Sequence, residues 1–275
     1  MPARIDAHHH LWRIADRAGR WPPPELAAIH RDFTLDDLAP HLAASGIDGT
    51  VLVQTLEDEA ETEAMLALAA RSPVIRGVVG WTDLKAADAP GRIARLARDP
   101  RLKGLRPMLQ DHPDDDWIAD PGLAPAIAAM LARDLAFDAL VRPRHLGALL
   151  VFAERHPALR IVIDHGAKPA IGAGGSPGWR EAMAALAARP NVSCKLSGLL
   201  TEAGEGGAGA VRAPAEAILE LFGPDRVIWG SDWPVVNLAG DHGGWFAQCR
   251  ALVAPAHHDA VFGGNAAAVY RLDRA

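Results

Sequence analysis

The chain alternates between short apolar runs and longer segments with helical spacing. The apolar runs cover residues 5–12, 49–54, 74–81, 103–108, 135–141, 159–165, 192–197 and 227–232. They are continuous rather than strictly alternating, the pattern of parallel strands covered on both faces. Pro107 weakens the fourth, because proline cannot donate to a strand ladder. The segments between them read as helices. The first begins at Thr34, an N-cap with Asp37 three residues on, and runs toward Ser45-Gly46. Others cover 58–70, 89–98, 123–133, 145–156, 179–188 and 213–222, and a mostly helical tail covers 245–272. The Trp- and Pro-containing stretch around Trp21-Pro22-Pro23-Pro24 reads as an ordered loop.

Eight strand–helix units in one chain predict a (β/α)8 barrel, a single α/β domain over residues 1–275. A doubly wound sheet is the structural rival. No Gly-x-Gly-x-x-Gly follows the first strand, so a dinucleotide site is unsupported. With 49% hydrophobic residues the chain can fill one sizeable core. A formal net charge of -6 and the lack of a basic run speak against a nucleic-acid surface. No apolar run is long enough to span a bilayer, and no leader precedes the first strand, so a cytoplasmic location is expected. Cys194 and Cys249 lie far apart without a Cys-x-x-Cys, which fits a reducing compartment and indicates neither a disulfide framework nor a thiolate zinc site.

In such barrels the chemistry lies at the C-terminal strand ends. Those ends carry His8 and His10, Gln54, Trp81, Arg106, Asp138 or Arg142, His165, Lys195 with Ser197, and Asp232. Period-two alternation places Asp6, His8 and His10 on one face of the first strand and His9 on the other, toward the helices. The embedding of the three histidines between Ile5 and Leu11-Trp12 argues against an expression tag. Closure of the barrel pairs the eighth strand with the first, so Asp232 is expected to face His8 and His10. Three imidazoles and a carboxylate around one axis suit a first-row divalent ion, or a water held between a base and an electrophile.

Other features have plainer readings. Asp6 is expected to make buried hydrogen bonds beneath the site. Lys195 has an alternative role as an ion-pair partner inside the barrel. Asp114-Asp115-Asp116 reads as a solvated loop, since calcium-loop spacing is missing. His257-His258 reads as helix surface. Gly174-Gly175-Ser176-Pro177-Gly178 matches a nucleophile-elbow pattern, but Pro177 has no N–H for an oxyanion hole. A loop is expected there, with Ser176 capping the next helix.

Three motifs in order carry a family resemblance. Asp-x-His-x-His in the first strand, Asp-His-x-x-Lys-Pro after the sixth and Gly-Ser-Asp-Trp-Pro after the eighth resemble the amidohydrolase superfamily, most closely its sugar-lactonase branch. Phe262-Gly263-Gly264-Asn265-Ala266 resembles that family's C-terminal Gly-x-Asn-Ala helix. The resemblance implies a hydrolase that opens a sugar-acid lactone, for example L-fucono-1,5-lactone. It implies His8, His10, His165 and Asp232 as the catalytic constellation and as ligands for a divalent ion, zinc for instance. The sequence departs from the family's metal-rich members, since the fourth strand ends with Arg106 and the fifth offers Asp138 without a histidine, so at most one ion is expected; lactonases of this branch can work without one, a lactone being an activated ester. Arg106, Lys168 and Lys195 match its substrate-handling positions, alongside the strand-end residues Gln54, Trp81 and Asp138. The small-molecule partner is then a lactone. The family's related reaction, metal-dependent decarboxylation of an aromatic or unsaturated acid, is the runner-up, and a non-catalytic barrel binding a small acid is the third reading.

Overall fold

A computed structural model describes residues 3–172, 175–204 and 207–272. Eight parallel strands lie in sequence order in one sheet: β1 (Ile5–His9), β2 (Gly49–Val53), β3 (Ile75–Gly80), β4 (Leu102–Leu105), β5 (Ala136–Ala139), β6 (Ile161–Ile163), β7 (Val192–Leu196) and β8 (Val227–Trp229). The seam between β8 and β1 closes just past the end of β8. Asp232 N donates to His8 O at 2.8 Å and His10 N donates to Trp233 O at 2.7 Å. The expected (β/α)8 barrel is therefore present, and its closing bonds are made by the residues singled out for chemistry.

The helices are α1 (Leu35–Ser45), α2 (Glu59–Ala69), α3 (Ala89–Leu96), α4 (Ala124–Ala132), α5 (Leu146–Arg155), α6 (Trp179–Ala187), the short α7 (Leu199–Glu202) and α8 (Gly207–Ala210), then α9 (Arg212–Phe222), α10 (His242–Leu252) and α11 (Asn265–Tyr270). The Thr34–Asp37 capping box opens α1 as its spacing predicts: Asp37 Oδ2 accepts from Thr34 N at 2.8 Å. The core has two layers. Leu52, Val78, Leu105, Phe137, Ile161 and Trp229 are among the strand residues packed with the helices. Ile5, Ala7, Val51, Val53, Val79, Val162 and Ile228 form a smaller cluster with Ala266, Tyr270 and Leu272. That cluster is the barrel interior, and α11 seals its lower end.

Several boundaries differ from the sequence reading. Strand four stops at Leu105, before Pro107, and resumes only as a single bridge from Met108 to Leu140. The sixth run leaves the sheet after Ile163, because His165 (φ 54) and Gly166 (φ 58) take left-handed backbone. The tail breaks into α10, a short turn at Pro255–His257, a π-turn at Ala260–Gly264 and α11. His258, expected on the surface, is partly buried and stacks edge-on against Phe262. Ser176 does not cap α6; its hydroxyl accepts from Ala170 N at 2.8 Å, and Gly178 is the N-cap without a side-chain bond. Gly174, the first residue of that motif, lies outside the described residues.

Candidate active site

The first strand does not alternate simply. Its register against β2 shifts between Asp6 and His9, so one extra residue is accommodated there. Ile5 and Ala7 face the interior cluster. His8 nonetheless points inward as well, and Asp6 turns toward α10, where its Oδ2 lies 3.5 Å from His242 Nε2. The expectation that Asp6 shares a face with His8 and His10 is thus corrected by the bulge. Its supporting role remains: Oδ1 accepts from Ser231 N at 2.9 Å and from His8 N at 3.2 Å, tying the two strands at the seam. His9 is fully buried on the outer side, and neither ring nitrogen has a hydrogen-bond partner among the described residues.

Four side chains converge at the upper end of the barrel. Asp232 Oδ1 lies 3.3 Å from His10 Nε2, 3.7 Å from His8 Nε2 and 3.8 Å from His165 Nε2. The chain reaches this arrangement through backbone that side chains seldom adopt. Asp232 has φ 57, His165 φ 54 and Lys168 φ 50. Two glycines leave room for the rings. A Cβ on Gly198 (φ 63) would meet the His165 ring at 2.4 Å, and one on Gly230 would meet His8 Cβ at 2.6 Å. Each imidazole is oriented through its far nitrogen. His10 Nδ1 bonds Val53 O at 2.7 Å, and His165 Nδ1 bonds Ser197 Oγ at 2.8 Å. His8 Nδ1 stands 3.1 Å from Lys195 Nζ and 3.5 Å from Asp164 Oδ1.

A charge network lies beneath. Lys195 Nζ contacts Asp138 Oδ2 at 2.6 Å and Asp164 Oδ1 at 3.0 Å. Arg106 Nη1 contacts Asp164 Oδ2 at 3.1 Å and His8 Nε2 at 3.4 Å, and Nη2 donates to Gln54 O. Gln54 Nε2 donates to Arg106 O at 2.7 Å. Asp138, Lys195 and Gln54 are fully buried, and Arg106 is 3% exposed. Lys195 thus takes the interior ion-pair arrangement that the sequence allowed as its alternative. The remaining candidates sit farther out. Lys168 pairs with Glu202 at 2.5 Å. Arg142 bonds Gln110 O and Asp111. Trp81 lines a cavity of about 250 Å³ at the ends of β3 and β4, with Glu57, Pro107, His112 and Trp117. Trp233, which follows Asp232, is buried against Phe33. A second cavity, of about 700 Å³, lies between α1, α2 and the loop after β1, and none of the four converging residues lines it.

Burial sets the charge states. It lowers His165 to about 4, against the opposing pull of Asp232 and Asp164. It lowers His8 well below the usual imidazole range, with Lys195 acting in the same direction. Burial pushes Asp232 up, but the fields of His165, His10 and His8 outweigh it and hold the carboxyl below its ordinary range. Asp164 is likewise held low by Lys195, His8 and Arg106 despite burial. At neutral pH the site is an ionised carboxylate beside neutral His8 and His165 rings.

Asp164 and Tyr270 received no role from the sequence. Asp164 entered the sequence reading only as the first residue of the Asp-His-x-x-Lys-Pro motif; the left-handed turn at His165 and Gly166 brings it and His165 inward together. Tyr270 is the chain's single tyrosine, and its Oη bonds Asp138 Oδ2 at 2.7 Å. Its position in the chain, 132 residues from Asp138, gave no local signal.

The donor set suits a divalent ion. His8, His10 and Asp232 place their ligand atoms within 4.8 Å of one another. The 3.3 and 3.7 Å separations from Asp232 Oδ1 are close to the roughly 3.3–3.5 Å edge of a tetrahedron with 2.0–2.1 Å metal–ligand bonds. A second group, His8 with Asp164 and His165, shares His8 and is already faced by Lys195 and Arg106.

Barrel, seam and converging His–Asp cluster define a hydrolase of the amidohydrolase type. The chain belongs to the amidohydrolase family, whose sequence model matches residues 5–272. It is 56% identical to an L-fucono-1,5-lactonase of Burkholderia ambifaria, over 100% of this chain and 97% of that protein. It is 36% identical to an L-fucono-1,5-lactonase of Burkholderia multivorans, over 98% and 96% respectively. A crystal structure of an amidohydrolase from Burkholderia multivorans with bound zinc superposes with a TM-score of 0.89 at 35% identity, over 98% of this chain and 99% of that one.

Proposed function

We propose that this protein is a lactonase that opens a sugar-acid lactone, with L-fucono-1,5-lactone as its leading substrate. The observation that carries the reading is the ionised Asp232 carboxylate within 3.3–3.8 Å of three imidazoles, in a chain 56% identical to a curated lactonase of that specificity. Decarboxylation is not favoured, since the aromatic-acid decarboxylases among the structural relatives share 15–18% identity and therefore the fold alone.

Asp232 takes a proton from the attacking water, and its fixed left-handed backbone keeps that proton near the ester bond. It returns the proton to the leaving alkoxide as the ring opens. His8, His10 and His165 hold and polarise the lactone carbonyl. Arg106, with Gln54 bonded to its backbone, places positive charge beside His8 where the carbonyl oxygen gains negative charge. Lys168 and Trp81 contribute from the rim, where an aromatic face and a charged group suit a polyhydroxylated ring. A single divalent ion, zinc in this reading, would be held by His8, His10 and Asp232 with His165 beside them and would supply Lewis-acid polarisation of the carbonyl.

Kinetics on a panel of aldonolactones, followed by acid release in weak buffer, test the reading. L-fucono-1,5-lactone should give the highest kcat/KM. Release of carbon dioxide from an aromatic acid, or higher efficiency on a pyrone dicarboxylate, would overturn it.

A further inference from the structure

The loops that follow β2, β3 and β4 hold a second group of side chains, separate from the His–Asp cluster. Glu57, Trp81, Asp83, His112 and Trp117 line the cavity of about 250 Å³ at this end of the barrel, and no lysine or arginine lines it among the described residues. Its inner wall adjoins the cluster. Pro107 lines the cavity, and the preceding Arg106 lies 3.4 Å from His8 Nε2. Gln54, in the same strand-end segment as Glu57, bonds the Arg106 carbonyl at 2.7 Å.

The loop that carries His112 and Trp117 is braced from the next one. Arg142 Nε donates to Gln110 O at 3.0 Å, and Arg144 Nη2 donates to His112 O at 2.9 Å. The same two arginines meet Asp111 at 3.1 Å and Asp115 at 3.2 Å. The His112 ring is engaged through Nδ1, 3.1 Å from Asp114 N and 3.3 Å from Asp114 O. Its Nε2 has no hydrogen-bond partner among the described residues. A hydroxyl both donates and accepts, so it can pair with Nε2 in either tautomer.

Glu57 differs from the acids around it. Asp58 pairs with Arg20 at 2.8 Å, Glu59 with Arg95 at 2.6 Å and Glu61 with Arg17 at 3.3 Å. Glu57 has neither a cation nor a hydrogen bond among the described residues. Lys85, 4.9 Å from the Trp117 ring centroid, is paired with Asp120 at 2.6 Å. Two indoles beside a carboxylate and an imidazole suit the C–H face and the hydroxyls of a polyhydroxylated ring. The same lining, with two carboxylates and no cation to offset them, opposes a ligand that brings a carboxylate of its own.

We propose that Glu57 and His112 are specificity-determining residues: they bind hydroxyls of the lactone ring against Trp81 and Trp117, and the Glu57 carboxylate excludes lactones that carry an additional carboxylate. The inference rests on the lactone-opening reading and names the part of the site that selects the substrate.

Glu57→Gln removes the charge and keeps the shape. The control is Glu63→Gln, an equal loss of charge at an exposed position of α2 that does not line the cavity. Both should keep the wild-type Tm. On L-fucono-1,5-lactone, Glu57→Gln should raise KM roughly tenfold with kcat within about twofold, because binding is lost equally in ground and transition states. His112→Ala should raise KM in the same way. The inhibition constant of 2-pyrone-4,6-dicarboxylate against that reaction should fall roughly tenfold in Glu57→Gln, and further in Glu57→Lys. Glu63→Gln should match wild type throughout. Calorimetric titration with L-fucose, a cyclic sugar that cannot be hydrolysed, needs no turnover; its Kd should weaken roughly tenfold in Glu57→Gln. An unchanged dicarboxylate inhibition constant in Glu57→Gln would overturn the proposal. So would a shift matched by Glu63→Gln, or a fall in kcat at constant KM. A wild type inactive on every lactone would overturn the substrate reading, and L-fucose would then decide the subsite. No binding to wild type, or a Kd unchanged by Glu57→Gln, would overturn the subsite as well.

Discussion

Replacing Asp232 by asparagine separates the chemistry of this site from its architecture. Asp232 occupies left-handed backbone at φ 57, a region asparagine tolerates better than most residues. Its backbone N–H bond to His8 O at 2.8 Å is unaffected by the change. The amide has nearly the carboxylate's shape, so the contacts at 3.3–3.8 Å to His10, His8 and His165 can persist. What disappears is the capacity to take a proton. General acid–base catalysis contributes typically two to four orders of magnitude, or about 2.8–5.6 kcal/mol at roughly 1.4 kcal/mol per decade. Asp232→Asn should therefore lower kcat by ~10²–10⁴ while KM stays within a few-fold. The paired variant is His9→Gln. His9 lies one residue from two site histidines but on the outer side of β1, so its replacement should alter stability and leave kcat within a few-fold. Acid release from L-fucono-1,5-lactone, measured on both variants with Tm recorded alongside, provides the assay. A near-wild-type kcat in Asp232→Asn together with a collapse in His9→Gln would refute both the assigned base and the strand register.

Two further outcomes are expected. Metal analysis should find at most one divalent ion per chain, since the two possible ligand groups share His8 and the inner one already faces Lys195 and Arg106; two equivalents, both needed for turnover, would contradict this. Acid should also destabilise the fold. Burial lowers His9 to about 4, whereas an unfolded imidazole titrates near 6.5, so between those values the unfolded chain binds more protons and stability falls as pH drops. The full effect of this one histidine is on the order of 3 kcal/mol, and His145 and His156 are shifted in the same direction. Urea midpoints at pH 7 and pH 5 measure it, and His9→Gln should flatten the difference. Equal midpoints in wild type would contradict the buried, neutral state of His9.

The parts of this molecule visible in sequence are those governed by period and punctuation. Continuous apolar runs mark every strand, and the Thr34–Asp37 spacing marks the start of α1. Strand ends then give His8, His10, Arg106, His165 and Asp232 without knowledge of the loops. The misplacements have one physical origin, local departure from ideal periodicity. A bulge between Asp6 and His9 moves Asp6 to the outer side of β1, and left-handed residues after Ile163 bring Asp164 and His165 inward together. Neither has a sequence signature beyond Gly166. Tyr270 was invisible for another reason. Its partner Asp138 is remote in the chain, and a lone aromatic at the end of an apolar helix reads as core until the barrel is closed.

The network beneath the site also explains how so many charges are tolerated indoors. Lys195 and Arg106 face Asp138 and Asp164, two cations against two carboxylates, with Lys195, Asp138 and Asp164 fully buried. An isolated buried ion would cost several kcal/mol, whereas pairing of opposite charges offsets much of that penalty; Arg106 Nε alone of the two cations' nitrogens is buried without a hydrogen-bond partner among the described residues. Truncating one member leaves its partner unpaired, at about 3–5 kcal/mol. Packing alone would be served better by apolar residues of similar volume, so stability is a weak reason for such a cluster. Orientation is a stronger one. The three imidazoles around Asp232 each need a partner on the far nitrogen to fix which nitrogen faces the reaction. A carbonyl serves His10, a hydroxyl serves His165, and at His8, the most deeply placed ring, Lys195 Nζ stands 3.1 Å and Asp164 Oδ1 3.5 Å from Nδ1. Lys195 fills that place, and the carboxylates around it are what a lysine needs in order to stand there charged.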